Sequence, residues 1–582
     1  MRLDTGCAGL LAGISAKRRA RFAPRYDLSM TTRTTALAFS LVLFLLAACG
    51  QPAPDTATQL ATWIADLSDD AMEGRGPGTA GDVMARQYIA DVMADMGLEP
   101  AAADGSWEQP FDIVGVDAAV PEIWTFESGT GDIVDFAFWD EFIAHSGVQS
   151  EQAAVADAEV VFVGYGIQAP EYDWDDYGDA DLAGKVLVML NNDPDWDPDL
   201  FEGNRRLYYG RWTYKYESAA AQGAAGAIII HTTPSAGYGF NVVQTSWTGP
   251  QFELPDEGEP RTQINAWLTE EASRRLFEFA GVDYDETLQS ARSADFTPVP
   301  LGLSTSLSLT NTVTSEQTTN VLGALPGSDP DFADEWIVFT AHHDHIGISP
   351  DESLEDRIYN GALDNAAGVA QVLAIAGELA AQSPGPSRSM LFLLVGAEEQ
   401  GLLGSEYYAA HPTVPPGKMV ANINYDGGNQ WGRTRDVTYI GHGKSSLDGV
   451  VEVAAAEQGR TVLPDQFPDR GFFYRSDQLS FARIGVPAIY LDNGTDFIDR
   501  PAGWGKEQLD AWTANIYHQV SDEYQPPTED GGGWNFDGMV DDVELGLACA
   551  RAISENPELP AWNPGDEFEA ARLAALAAVA GE

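Results

Sequence analysis

The strongest constraint on this chain is a pattern in its C-terminal half, where apolar strand-like runs alternate with helical stretches and each run ends in acids or histidines. Trp336-Ile-Val-Phe-Thr340 leads into Ala341-His342-His343-Asp344-His345, Ser389-Met-Leu-Phe-Leu-Leu-Val395 into Gly396-Ala397-Glu398-Glu399, and Met419-Val-Ala-Asn-Ile-Asn-Tyr425 ends on Asp426. Helical patterns over 365–379 and 401–409 separate these runs, and Val486-Pro-Ala-Ile-Tyr-Leu491 is a further strand. Such alternation predicts an α/β fold with a mixed, largely parallel sheet flanked by helices. Open α/β sheets bind ligands beyond the carboxyl ends of their strands, so separate strands deliver histidine and carboxylate groups to one edge.

With 582 residues the chain is too long for one hydrophobic core, and two or more domains are expected. A helical pattern runs over 56–67, followed by a loop over 68–81 dense in glycine and charge. A second helix over 82–96 is predicted to present Met84, Tyr88, Ile89, Val92 and Met93 on one face. From 118 to 315 the character changes to short β-type runs such as Glu159–Tyr165 and Lys185–Leu190, with an Ala-rich helical stretch over 217–225, so this segment reads as an inserted β-rich domain. The expected division is 1–48 signal, 49–117 first part of the main domain, 118–315 insertion, and 316–582 main domain.

The amino terminus reads as an export address. Residues 36–48 form an apolar run too short to span a bilayer comfortably, preceded by Arg33. Its end, Leu46-Ala47-Ala48-Cys49, resembles the bacterial lipobox, which implies acylation at Cys49 and a lipid-anchored protein of the bacterial cell envelope, in the periplasm or at the outer membrane. Met30 is the expected true start, because Met-Thr-Thr-Arg and the apolar run already make a complete signal. Cys7, Cys49 and Cys549 are the only cysteines, so no disulfide framework is expected, and Cys549 is read as core filler. A formal net charge of −57 repels nucleic acid and anionic lipid surfaces. Membrane contact is therefore expected through the anchor alone. The oligomeric state is left open.

The strand-end residues have a metal-site chemistry. His342 is a candidate ligand, with Asp344 placed to fix its tautomer through the other ring nitrogen. His343 and His345 crowd the same strand end, whereas His145, His231, His411 and His442 are read as satisfied core residues. Asp364 is either a helix N-cap, a role Asn365 can share, or a carboxylate bridging two metals. Of the adjacent acids Glu398 and Glu399, one is expected to bind metal and the other to take a proton from an attacking water. His518 would complete a second metal's coordination, and the Tyr517 hydroxyl would face a developing oxyanion.

Together these residues resemble the M28 metallopeptidases, zinc aminopeptidases with co-catalytic metals. The resemblance runs through Ala341–Gly347, Gly361–Gly368, Gly396–Glu399, Ile423–Asp426, Tyr517-His518, Tyr474-Arg475-Ser476-Asp477 with Phe481 and Gly485–Pro487, and the early Met72–Gly76 loop. It implies one zinc on His342, Asp364 and Asp426, a second on Asp364, Glu399 and His518, and Glu398 as general base. Two Zn²⁺ ions are thus the expected cofactors, with Co²⁺ or Mn²⁺ as substitutes. Peptides are the expected substrates, cleaved next to a free amino terminus; carboxypeptidase or glutaminyl-cyclase-like chemistry on the same fold, and an inert receptor-like protein, are the alternatives. Phe162–Gly166, Asp181–Val186 and the Ala-rich helix before Ala227–Ile230 resemble the protease-associated (PA) domain. Tyr474, Arg475, Ser476 and Asp477, and the 496–512 loop with Phe497, Trp504 and Trp512, are candidates for the substrate pocket.

Overall fold

The computed structural model describes residues 55–198, 200–349 and 352–581, so Cys49 and the export signal lie outside the described residues. The helix Thr56–Leu67 buries Leu60, Trp63, Ile64 and Leu67, the i, i+3, i+4, i+7 stripe of an amphipathic helix. Asp55 caps it, its carboxylate accepting the Thr58 N–H at 2.8 Å. The second helix runs Ala80–Asp95 and buries Asp82, Ala85, Ile89 and Met93. Its inner face is thus rotated from the expected one, and Met84 is exposed. The cause is polar: Asp82 turns inward to pair with a buried histidine, and Met84, two residues on, then points outward.

The strand Trp336–His342 lies at the centre of the parallel part of the hydrogen-bonded sheet, with Ser389–Val395 on one side and Met419–Asn424 on the other. Ala488–Asp492 adds a further parallel strand beyond 419–424. Antiparallel strands flank this group: Val321–Leu325 beside 389–395, and Asp436–Ile440 beside 488–492. All residues of 389–395 and 419–424 are buried, because both faces of the sheet are covered. Ile337, Phe339, Ala341, Phe392 and Leu394 face the helices Thr56–Leu67, Ala367–Ala380 and Asp537–Glu555. Val338, Leu391, Leu393 and Val395 face Tyr408, Val414 and Phe481 on the other side. Full burial of each such side chain stabilises by roughly 1.5–3 kcal/mol, and this two-sided core is what holds the strand ends rigid. Cys549 is buried in the helix Asp537–Glu555, as core filler.

Residues 123–309 build a second layered region with cores on both faces of its strands. Val160–Phe162, Val186–Leu190, Gly226–His231 and Ile264–Thr269 are parallel neighbours, and the helices Trp212–Ala221 and Glu270–Phe279 pack on them. The link to the main sheet is one long strand, Val299–Leu325, paired antiparallel with Glu108–Ala119. Its first half pairs with Gln152–Phe162 and its end with Ser389–Val395. The points 117/118 and 315/316 therefore fall inside two paired strands rather than in linkers. Among the described residues no helix is long and apolar enough to cross a membrane.

Candidate metal and active site

Three parallel strands end on one edge, and there His342, Asp364, Glu398, Glu399, Asp426 and His518 come together. His342 Nε2 lies 3.3 Å from Asp364 Oδ1, 3.2 Å from Asp426 Oδ1 and 3.8 Å from Glu398 Oε2. His518 Nε2 lies 3.3 Å from Asp364 Oδ2 and 3.0 Å from Glu399 Oε2. Asp364 thus turns one carboxylate oxygen to each histidine. Candidate ligand atoms of His342, Glu398 and Asp426, and of His342, Asp364 and Glu399, lie within 4.8 Å of one another.

Local structure explains each placement. Gly361 has a left-handed backbone (φ 55°), and a Cβ there would sit 2.4 Å from Asp364 O and 2.5 Å from His345 Cγ, so only glycine lets the chain turn in front of Asp364. Asp364 does not cap the following helix; Asn365 does, its Oδ1 accepting from Gly368 N at 2.9 Å and also from Gly427 N, which leaves Asp364 free for the site. The buried Asp522 accepts the backbone N–H of Leu363 and of Asp364, both at 3.0 Å. Asp344 contacts His342 Nδ1 through its main-chain oxygen at 3.2 Å, while its carboxylate stands 3.8 Å away and accepts the N–H of Glu398 at 3.0 Å and of Glu399 at 3.3 Å. The expected tautomer-fixing contact to His342 is therefore made by the backbone carbonyl, and the side chain of Asp344 instead holds the two-glutamate turn. Ala397 and His518 adopt left-handed backbone conformations (both φ 57°), the kind of local strain that gathers at functional sites.

Only one of the three clustered histidines enters the metal group. His343 Nε2 pairs with buried Asp82 at 3.1 Å, and His345 Nδ1 lies 2.6 Å from Glu399 Oε1, orienting that carboxylate. Of the histidines read as core, His231 is buried among Phe240 and Trp267 and His145 packs on Trp247. His411 is exposed beside Tyr407 and His442 reaches Glu452 at the surface, so these two are surface rather than core residues.

Tyr517 stacks on the His518 ring at 3.8 Å between centroids and packs on Trp512, remaining partly exposed. Ser476 and Asp477 are buried behind the site. Ser476 Oγ accepts from Asn424 at 2.8 Å, and both Asp477 oxygens lack a hydrogen-bond partner. Burial pushes the Asp477 carboxyl up to about 7, against the opposing pull of His342. Tyr474 lies outside the group: it is buried, and its hydroxyl donates to Glu567. Arg475 is exposed, with its guanidinium over the Phe472 ring. Phe497 and Trp504 pack with Trp431 in an aromatic cluster of their own.

Four carboxylates here have only histidine as ion-pair partners among the described residues. Burial opposes ionisation of Asp364, yet the neighbouring imidazoles of His342 and His518 hold it well below the usual carboxylate range. Glu398 is pushed well above it, chiefly by burial and then by Asp426, Glu399 and Asp477 against the pull of His342. Glu399, buried but flanked by His518 and His345, is held down to about 2. The acids raise His518 to about 10 against the effect of burial. His518 Nε2 is itself buried, 3.0 Å from Glu399, and makes no properly formed hydrogen bond. A divalent cation resolves all of these: it neutralises the clustered acids and takes the imidazole lone pairs, and the nitrogen-plus-carboxylate donor set suits zinc.

Residues 320–535 match the model of peptidase family M28. The 320–535 segment is thus similar to the domains of peptidase family M28. The vacuolar membrane protease of Yarrowia lipolytica is 32% identical to this chain over 114 residues, 20% of this chain and 10% of the relative, so the chain spans about a tenth of the length of that curated relative. Among solved structures, the aminopeptidase of Aneurinibacillus sp. strain AM-1 superposes with a TM-score of 0.48 at 18% identity, covering 87% of this chain and 96% of that one. BSAP, a zinc aminopeptidase of Bacillus subtilis, does so with 0.41 at 18%, covering 89% and 100%.

Several residues of the candidate site were missed by sequence reasoning: Asp82, His345 as a partner of Glu399, Asp522, and the buried Arg75. Arg75 and Asp82 lie within or beside the glycine-rich loop at 68–81, and that composition was the available signal. Asp522 follows His518 closely, but nothing in its spacing points to the backbone of residues 363 and 364.

Proposed function

We propose that the protein is a zinc aminopeptidase that hydrolyses the first peptide bond of a substrate with a free amino terminus. The observation that carries this reading is Asp364, whose two oxygens address His342 and His518 separately. In this reading His342, Asp364 and Asp426 hold one zinc, and Asp364, Glu399 and His518 the other. Zinc bound there supplies Lewis-acid polarisation of a carbonyl and acidification of a water. Glu398 takes the proton from the attacking water and returns it to the leaving amine, a role that suits a carboxyl raised by burial. Asp344 keeps Glu398 and Glu399 aimed by accepting their backbone N–H groups. His345 fixes Glu399, and Asp522 fixes the turn that carries Asp364. Tyr517, held against His518 by stacking, donates its hydroxyl to the developing oxyanion. The β-rich region, in this reading a PA-like insertion, walls the cleft.

Glu398→Ala tests the base: zinc content by elemental analysis stays near wild type while hydrolysis of an aminoacyl-nitroanilide panel falls by roughly a hundredfold or more. Retained turnover would discard the role. Comparing free-amino with N-blocked substrates tests the exopeptidase reading, which fails if blocked substrates are cleaved equally well.

A further inference from the structure

A cleft of about 300 Å³ opens between the C-terminal half of the helix Trp504–Asn515, the segment 521–525, and Trp431 and Trp534. That volume is at the lower end of the range for small-molecule sites. None of the six residues of the metal group lines it, nor does Tyr517 or the 474–477 segment. Three of its walls are the tryptophans 431, 512 and 534. Two more are acids, buried Asp522 and exposed Glu523, and no Lys, Arg or His lines it.

The protein itself holds these walls in place. The Trp534 N–H donates to Gln525 O and the Asn535 N–H to Gln430 O, both at 2.9 Å, which ties three of the bordering segments together. The Trp431 ring packs edge-on against Phe497 and Trp504, at 6.2 and 6.4 Å between centroids, and the Trp534 ring packs so against Tyr524 at 5.5 Å. Aromatic faces attract a cation through their quadrupole, indole most strongly, and carboxylates in the same walls add charge attraction. An anion is repelled by both acids, and a neutral guest gains only the apolar contacts.

Hydrogen bonds join the cleft to the metal group. Asp522 accepts the N–H of Leu363 and of Asp364, both at 3.0 Å. The Trp512 carbonyl accepts the N–H of Ile516 at 2.8 Å and of Tyr517 at 3.1 Å, and the Trp512 and Tyr517 rings are 5.4 Å apart. Two lining residues thus hold the turns that carry Asp364 and His518.

We propose that this cleft is a second binding site, for a small organic cation of the ammonium type, and that its occupant changes how tightly the neighbouring turns hold metal. Binding there is independent of the peptidase reading; only its transmission to the metal group rests on that reading.

The test uses the full-length, zinc-loaded protein. Choline is the cation, and 3,3-dimethylbutan-1-ol, of the same shape without the charge, is the control. Both are measured by calorimetry at low ionic strength, where exposed charges are least screened. Choline is expected to bind about tenfold or more tightly than the alcohol, between the effects of exposed and of desolvated cation–π contacts. E523Q is expected to weaken choline about threefold and to leave the alcohol unchanged, and W431L to weaken choline about tenfold. Choline binding no tighter than the alcohol, or unchanged in E523Q or in folded W431L, overturns the site. Glu523 is exposed, so E523Q decides if W431L does not fold. Zinc affinity by chelator competition, with and without saturating choline, reads the transmission: a change of about fivefold or more is expected, and none with the alcohol. An unchanged zinc affinity overturns the transmission. Absence of peptide cleavage, with choline binding intact, counts against the peptidase reading alone.

Discussion

Arg75 is a buried cation beneath the site, and replacing it with methionine (R75M) tests how far the site depends on a group that never touches substrate. The guanidinium donates from Nε to His343 O at 2.8 Å, from Nη1 to Leu67 O and Asn360 O, both at 2.6 Å, and from Nη2 to Gly361 O at 2.8 Å. Three of these carbonyls belong to residues next to His342 or shortly before Asp364, and the fourth, Leu67 O, to the end of the helix Thr56–Leu67. A hydrogen bond from a charged donor is worth about 1.5–3 kcal/mol net, so simple addition gives roughly 6–12 kcal/mol. That sum overshoots, because burying the guanidinium is itself costly: burial is the largest influence on Arg75 and lowers it to about 10, opposed by Asp344, Asp522, Asp364 and Glu399. Methionine also keeps much of the stem's packing. The expected loss is about 3–5 kcal/mol, the range seen when one partner of a buried charged network is removed. The assay is urea unfolding of wild type and R75M, metal-free and zinc-loaded, with zinc content measured alongside. R75M should unfold at a clearly lower urea midpoint in both forms and bind zinc more weakly. A midpoint shift equivalent to less than about 1 kcal/mol, with unchanged zinc uptake, would refute the claim that these bonds hold the site together.

Asp522→Ala removes the acceptor for Leu363 N and Asp364 N, and zinc affinity by chelator competition is expected to fall about 10–100-fold; an unchanged affinity means the turn carrying Asp364 is held by other contacts. At pH 7 the metal-free protein carries His518 protonated, since its pKa lies near 10, and a histidine ligand must be neutral. Zinc binding at pH 7 should therefore release at least about one proton, read from calorimetry in buffers of different ionisation enthalpy; zero release contradicts the assigned ligand. The same shift makes a stability statement for the metal-free protein. With His518 raised from 6.5 to about 10, its contribution is complete below about 6.5 and lost as pH rises through 10. With Glu399 lowered from 4.5 to about 2, its contribution is complete above about 4.5 and lost as pH falls through 2. The unfolding-midpoint difference between wild type and His518→Gln should accordingly shrink from pH 6 to pH 10, and a constant difference would rule the pairing out.

The parallel centre of the sheet was legible because two-sided burial strips strands of polar residues, and 336–342, 389–395 and 419–424 read as such runs. The six converging side chains were legible for the same reason: polar residues directly after a buried run must lie at its carboxyl edge. The packing of the second helix was legible only in part: Ile89 and Met93 of the expected face are buried, whereas Met84 is exposed because Asp82 turns inward to His343. Arg75 and Asp522 were not legible: apart from the bond of Arg75 to nearby Leu67, they bond main-chain carbonyls and amides of segments remote in the sequence. Backbone groups carry no sequence identity, so such partners leave no trace in spacing. The domain edges were hidden by a single strand, Val299–Leu325, that serves both halves.

The three histidines show how much more one rule can yield. Successive side chains of a strand point to opposite faces, and Trp336–His342 remains a strand to its last residue. Carried one residue further, the alternation places His342 and His343 on opposite sides, so both cannot serve one metal group. Asp344 then restores the side of His342, which is where its backbone oxygen meets Nδ1 and its carboxylate collects the amides of Glu398 and Glu399. His345, beyond the strand, is released from the alternation and reaches Glu399 instead. A run of histidines at a strand end thus divides its labour by parity: one toward the cation, its neighbour into the scaffold through Asp82, and the next onto an acid of the site.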